Sequence, residues 1–148
     1  MKEQAFRSRE IARDGTSTIT STDRLLGGAA GVLRLAFCDD ARGVLTPITF
    51  AEHEFTAVRA FVVSAPTGAV RGGHAHVRAR QILMRVSGII DVHARLEGAA
   101  VTVRLDAETA ALLIEPGVWS SQTYVANNSA IVVFSDMEYD ASDYAPGW

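Results

Sequence analysis

From Gly31 onward the chain is built of short runs in which apolar and polar residues alternate, separated by glycine, proline, asparagine and aspartate. Alternation with a period of two puts successive side chains on opposite faces of an extended backbone, so each run predicts a strand with one face in a core. Strands are expected over residues 32–37, 44–50, 58–64, 74–77, 81–86, 89–96, 101–105, 111–114, 118–125 and 130–135. The clearest pair is a hairpin. Ile90, Val92, Ala94 and Leu96 alternate with Asp91, His93 and Arg95, Glu97-Gly98 supplies the turn, and Val101, Val103 and Leu105 return against Thr102 and Arg104. Many short strands at this density predict an all-β antiparallel sandwich or barrel. The tail over residues 140–146 predicts one short helical turn stopped by Pro146.

Residues 1–27 break the pattern. They mix charge with a polar run from Asp14 to Asp23, a composition that cannot offset its own ordering entropy, and predict a flexible N-terminal arm able to order against a partner subunit. Residues 28–148 are expected to form a single domain. At 148 residues and 48% hydrophobic, the chain can bury one sizeable core and shows no second composition.

Charge and cysteine content narrow the classes. A formal charge of −3 gives no general basic field for holding nucleic acid. The longest apolar stretches, such as Ala110 to Ile114, are far too short to span a bilayer, and the charged start has no apolar core of a secretory signal. The lone Cys38 cannot form an internal disulfide, so a cytoplasmic location is expected, with Cys38 as a small buried hydrophobe. There is no repeat, P-loop, dinucleotide fingerprint or nucleophile elbow.

The chemistry gathers around two of the four histidines. His74 and His76 lie two residues apart in a strand-like context after Gly72-Gly73, which directs both imidazoles to one face. There they could grip a metal, bind a substrate or move a proton; on an exposed face they would be a passive polar pair. His93 reads as a solvated strand residue and His53 as part of a polar loop. Gly72 and Gly73 read as a point of unusual dihedral or close backbone approach.

The spacing from Gly68 to Gly88, G-x5-H-x-H-x4-Q-x6-G, resembles the first sequence motif of the cupins, with Gln81 in place of a glutamate. Arg42-Gly43 after paired acids, Arg71-Gly-Gly-His74-Ala-His76, Ser87-Gly88, Pro116-Gly117-Val118-Trp119, and the tail Glu138-Tyr139-Asp140 to Asp143-Tyr144 are similar to one branch. That branch is the dTDP-4-keto-6-deoxyglucose 3,4-ketoisomerases (WxcM-like, FdtA-like). The resemblance implies a cupin-like antiparallel β-barrel, or jelly roll, that works without a cofactor as a homodimer with exchanged N-terminal strands. It implies that His74 and His76 move protons between adjacent sugar carbons. Arg71 reads as a substrate-binding donor to the diphosphate or a sugar oxygen, or as a solvated strand-end residue, and Gln81 as a substrate-binding amide that orients a histidine or sugar hydroxyl, or as one satisfied by backbone. Arg42 and Trp119 join the implied binding set, although Arg42 also reads as a charged turn and Trp119 as a core or interface residue. Tyr124 and Tyr144 carry the same ambiguity as Trp119.

Three positions depart from the branch. Gln81 replaces the usual metal-binding glutamate, Ser120 stands where a histidine follows the tryptophan, and Phe61 stands where the branch shows tyrosine. Two imidazoles and an amide make a poor divalent-metal site, so no metal is expected. The expected activity is isomerisation of a nucleotide-linked 4-keto-6-deoxyhexose through an enediol. The alternative is a non-catalytic cupin that binds a nucleotide sugar or another small polar ligand, and the losses at Phe61 and Ser120 favour it.

Overall fold

The computed structural model describes residues 23–145. Of the expected arm, residues 1–22 lie outside the described residues; from Asp23 the chain is already ordered, because β1 (Asp23–Leu25) pairs antiparallel with β2 (Ala30–Leu33) around a 3-10 helical turn at Leu26–Gly28. The remaining strands are β3 (Cys38–Asp40), β4 (Gly43–Leu45), β5 (Arg59–Ala65), β6 (Val70–His76), β7 (Gln81–Ser87), β8 (Ile90–Leu96), β9 (Ala99–Leu105), β10 (Ala111–Ile114), β11 (Trp119–Tyr124), β12 (Ser129–Ser135) and β13 (Tyr144–Ala145). Among the described residues no helix is long and apolar enough to cross a membrane.

The strands form a six-stranded sheet in the order β1-β2-β10-β7-β12-β5 and a five-stranded sheet in the order β13-β6-β11-β8-β9, with β3-β4 as a separate hairpin. Every pairing is antiparallel. The expectation of a barrel is met only as two facing sheets. Among the described residues no end strand of one sheet pairs with an end strand of the other.

Alternation explains the main core. Leu83, Leu112, Ile131 and Val133 from the six-stranded sheet meet Ile90, Val92, Ala94, Leu105 and Tyr124 from the five-stranded one. The β8–β9 hairpin keeps the predicted register, with Val92 opposite Val103 and His93 opposite Thr102. Its two turn residues, Glu97 and Gly98, both have positive φ (49° and 82°), as a two-residue turn of type I′ requires.

A second cluster lies on the other face of the six-stranded sheet, where Phe55 packs on Leu33, Ile82 and Ala111, flanked by Ile48, Phe50 and Phe134. The segment over residues 46–55, including a 3-10 turn at Phe50–His53, therefore covers that face. This is why β10 is a continuous apolar run: a strand covered on both sides has no face for water.

Candidate active site

Six strands deliver the pocket residues, and one irregularity aligns them. Arg71 and His74 are three apart, so regular alternation on β6 would send them to opposite faces. Along the β6–β11 ladder, however, Ser120 pairs with His74 and Ser121 with Gly72, which leaves Gly73 as an extra, unpaired residue. This β-bulge resets the alternation, and Arg71, His74 and His76 all line one pocket. Gly72 and Gly73 hold φ of 78° and 84°, the left-handed region that glycine adopts without strain. A Cβ on Gly72 would also lie 3.0 Å from the Ser120 carbonyl oxygen.

The pocket, of about 180 Å³, opens between the sheets. Arg71, His74 and His76 on β6, Ser120 and Gln122 on β11 and Tyr144 on β13 form its polar side; Gln81, Phe61, Val63, Leu83, Ile131 and Val133 complete it from the six-stranded sheet. Gln122, which the sequence pattern did not single out, obeys the same two-residue period as Ser120 and sits opposite Arg71 in the ladder.

A chain of hydrogen bonds runs through the histidines. His74 Nε2 and His76 Nε2 are 3.2 Å apart, and His76 Nδ1 lies 2.9 Å from Asp143 Oδ2. Asp143 is only 2% exposed and ends the 3-10 turn Ala141–Asp143, whose N-cap Asp140 accepts from the Ser142 N–H. Its carboxylate also accepts from the backbone N–H of Arg78 (2.7 Å) and of Ala79 (3.3 Å). Burial pushes the Asp143 pKa up, but the hydrogen bonds from His76, Arg78 and Ala79 outweigh it and hold the group below the usual aspartate value. Asp143 therefore remains ionised and fixes His76 Nδ1 as the protonated nitrogen.

Burial lowers the pKa of His74, the neighbouring His76 lowers it further, and a backbone hydrogen bond to Gly72 opposes both. His74 is thus a neutral imidazole near pH 7. The Tyr144 ring rests against both histidines, at centroid distances of 4.6 and 4.8 Å, and limits their rotation. Among the described residues no three histidine, cysteine or acidic side chains converge as a metal site.

The structure brings Arg71, His74, His76 and Gln81 to one pocket, and leaves Arg42 and Trp119 outside it. Arg42 is exposed at the β3–β4 turn and pairs with Asp40 at 2.6 Å. Trp119 is one residue before Ser120, so alternation turns it to the opposite face, where the Arg95 guanidinium stacks 3.9 Å from its ring centroid. Tyr124 is wholly buried in the core. His93 is held on the outer face between the hydroxyls of Thr102 and Thr123, and His53 lies in a separate cavity.

No curated protein sequence matches the chain. Among solved structures, QdtA, a sugar 3,4-ketoisomerase from Thermoanaerobacterium thermosaccharolyticum in complex with TDP, superposes with a TM-score of 0.74 at 22% identity, covering 79% of this chain and 87% of that one. WlaRB, a TDP-quinovose 3,4-ketoisomerase from Campylobacter jejuni, gives 0.70 at 24% identity over 78% of this chain and 90% of its own. The RmlC epimerase of Mycobacterium tuberculosis gives 0.75 at 16% identity over 84% and 72%. These likenesses show a shared cupin-type fold. The family model described as FdtA, WxcM-like C-terminal, matches residues 30–146, nearly the whole of the described chain, and the chain belongs to that family.

Proposed function

We propose that the protein is a nucleotide-sugar 3,4-ketoisomerase acting on a dTDP-4-keto-6-deoxyhexose. The observation that carries the reading is the His74–His76–Asp143 chain, placed in a pocket with Arg71, Gln81 and Gln122. Family membership and the TDP-sugar ketoisomerases among the structural neighbours support it.

The chemistry needs one base that can also act as an acid. A carbonyl at C4 acidifies the hydrogen on C3; removing it while O4 gains a proton gives the enediol. Returning a proton to C4 while O3 gives up its own leaves the ketone at C3. With His76 Nδ1 committed to Asp143, the Nε2–Nε2 contact requires one proton between the rings. The pair can therefore hand a proton from one ring to the other, and the neutral His74 is poised to accept one. Arg71, Gln81 and Gln122 supply donors for the sugar oxygens. A second copy of the chain is the expected partner, and Arg42 and Trp119 are kept as binding residues only in a dimer that brings them to a neighbouring pocket.

A second reading has its own support. Phe61 and Ser120 line the pocket without the phenol and imidazole that the related branch carries there, which favours a binding cupin without turnover. Proton NMR of dTDP-4-keto-6-deoxyglucose with the protein in deuterated water separates the two. Deuterium incorporation together with a 3-keto product is expected; binding without exchange or product would replace the isomerase with the binding protein. His74→Asn and His76→Asn are each expected to lower turnover by about a hundredfold or more. Wild-type rates in both would remove the proton-transfer assignment.

A further inference from the structure

Arg59 opens β5 at the edge of the six-stranded sheet, and its guanidinium carbon lies 5.1 Å from the Phe61 ring centroid and 5.5 Å from that of Tyr139. Phe61 lines the histidine pocket, and Tyr139 lies 6.1 Å from Tyr144, which lines it too. The cation is thus held in an aromatic clamp at the rim of the site. Arg59 Nε is buried without a hydrogen-bond partner. Arg42, Arg78, Arg80 and Arg104 each pair with a carboxylate, whereas Arg59 forms no such pair among the described residues.

A guanidinium fixed against two rings has lost its freedom without gaining an acceptor. Its planar fork of donors suits the paired oxygens of a phosphate, and stacking leaves the edge of that fork available. The flanking rings are accessible, with Tyr139 65% and Phe61 38% exposed. We propose that Arg59 is the anion-holding residue of this site, binding the diphosphate of the ligand at the pocket rim while Arg71 remains with the sugar oxygens inside. The choice of a diphosphate rests on the nucleotide-sugar reading; the unpartnered cation in its clamp does not.

The test is titration of dTDP, inorganic pyrophosphate and thymidine into the wild-type chain and into Arg59→Gln, Arg59→Lys and Arg104→Gln. Arg104 sits on the outer face, paired with Asp91, and controls for the loss of one positive charge. Arg59→Gln is expected to weaken dTDP and pyrophosphate by about tenfold or more, to leave thymidine unchanged and to flatten the salt dependence. Arg59→Lys should recover only part of the loss, and Arg104→Gln should bind as wild type. Unchanged dTDP and pyrophosphate affinity in Arg59→Gln, or an equal loss for thymidine, would overturn the proposal, the latter by making Arg59 a support for the rim alone. Arg59-dependent pyrophosphate binding without dTDP binding or ketosugar turnover would retain the anion site and remove the nucleotide-sugar reading. Turnover of the ketosugar with Arg59 indifferent to both probes would do the reverse, and a wild type that binds neither probe nor turns over the ketosugar would remove both.

Discussion

At the scale of single residues, the protonation states of the site are set by two carboxylate oxygens and by burial. Because the pKa of His74 is lowered from 6.5 by burial and then by His76, the unfolded chain takes up this proton before the folded one does as pH falls. Stability attributable to His74 therefore declines on acidification below 6.5 and is unaffected above it. The acidic limb of kcat/KM is expected below pH 6.5 for the same reason, since the base form persists to lower pH. A pH–rate profile with its acidic limb at or above 7 would count against His74 as the base. Asp143 offers a sharper test. An amide at this position must turn its NH₂ toward His76 Nδ1 or toward the N–H groups of Arg78 and Ala79, where only an acceptor fits. Asp143→Asn should lose about 1–3 kcal/mol in denaturant unfolding and more than about tenfold in turnover, through the wrong His76 tautomer. Wild-type stability and turnover together would show that the carboxylate has no such role.

At the scale of elements, turns and bulges decide where side chains point. The Gly72-Gly73 bulge brings Arg71 into the pocket beside His74, and the β8–β9 turn sets the register of the hairpin beneath it. Glu97 occupies that turn with φ of 49°, a conformation that asparagine tolerates better. Glu97→Asn is expected to stabilise the protein by about 0.5 kcal/mol, read as a shift in denaturant midpoint at constant slope. A lower midpoint would mean that the Glu97 side chain makes a contribution the turn geometry does not explain. Elements of two or three residues escape a reading by period: β1, β13 and the polar β3 (Cys-Asp-Asp) carry too few positions to alternate. The expected helical turn near residue 140 forms as Ala141–Asp143, because the Asp140 side chain caps it.

At the scale of the whole molecule, the exposed apolar surface is concentrated at strand edges. Val44 and Leu45, 66% and 60% exposed, sit on a hairpin that pairs with no other strand among the described residues, and Val62, 69% exposed, lies on the edge strand β5. Bare apolar edges of this kind favour association. Light scattering is expected to give about twice the chain mass of 15.9 kDa, and Val44→Asp with Leu45→Asp to shift it toward the monomer; a monomer at tens of micromolar wild-type protein would contradict this. What the amino-acid order determined by itself is what local periodicity encodes. It marked the nine strands of four or more residues, the β8–β9 register and the common face of His74 and His76, because a period of two acts between near neighbours whatever surrounds them, whereas the run expected over 44–50 is strand only at Gly43–Leu45. The departures at Phe61, Gln81 and Ser120 were also legible, since they are identities at motif positions. Only the tertiary structure decided which distant residues meet. Asp143 reaches His76 across 67 residues, Gln81 and Phe61 come from the opposite sheet, and Trp119 is turned away. Those outcomes depend on a bulge, on the facing of two sheets and on a capped turn, and each is fixed by long-range packing and hydrogen bonding that no local pattern carries.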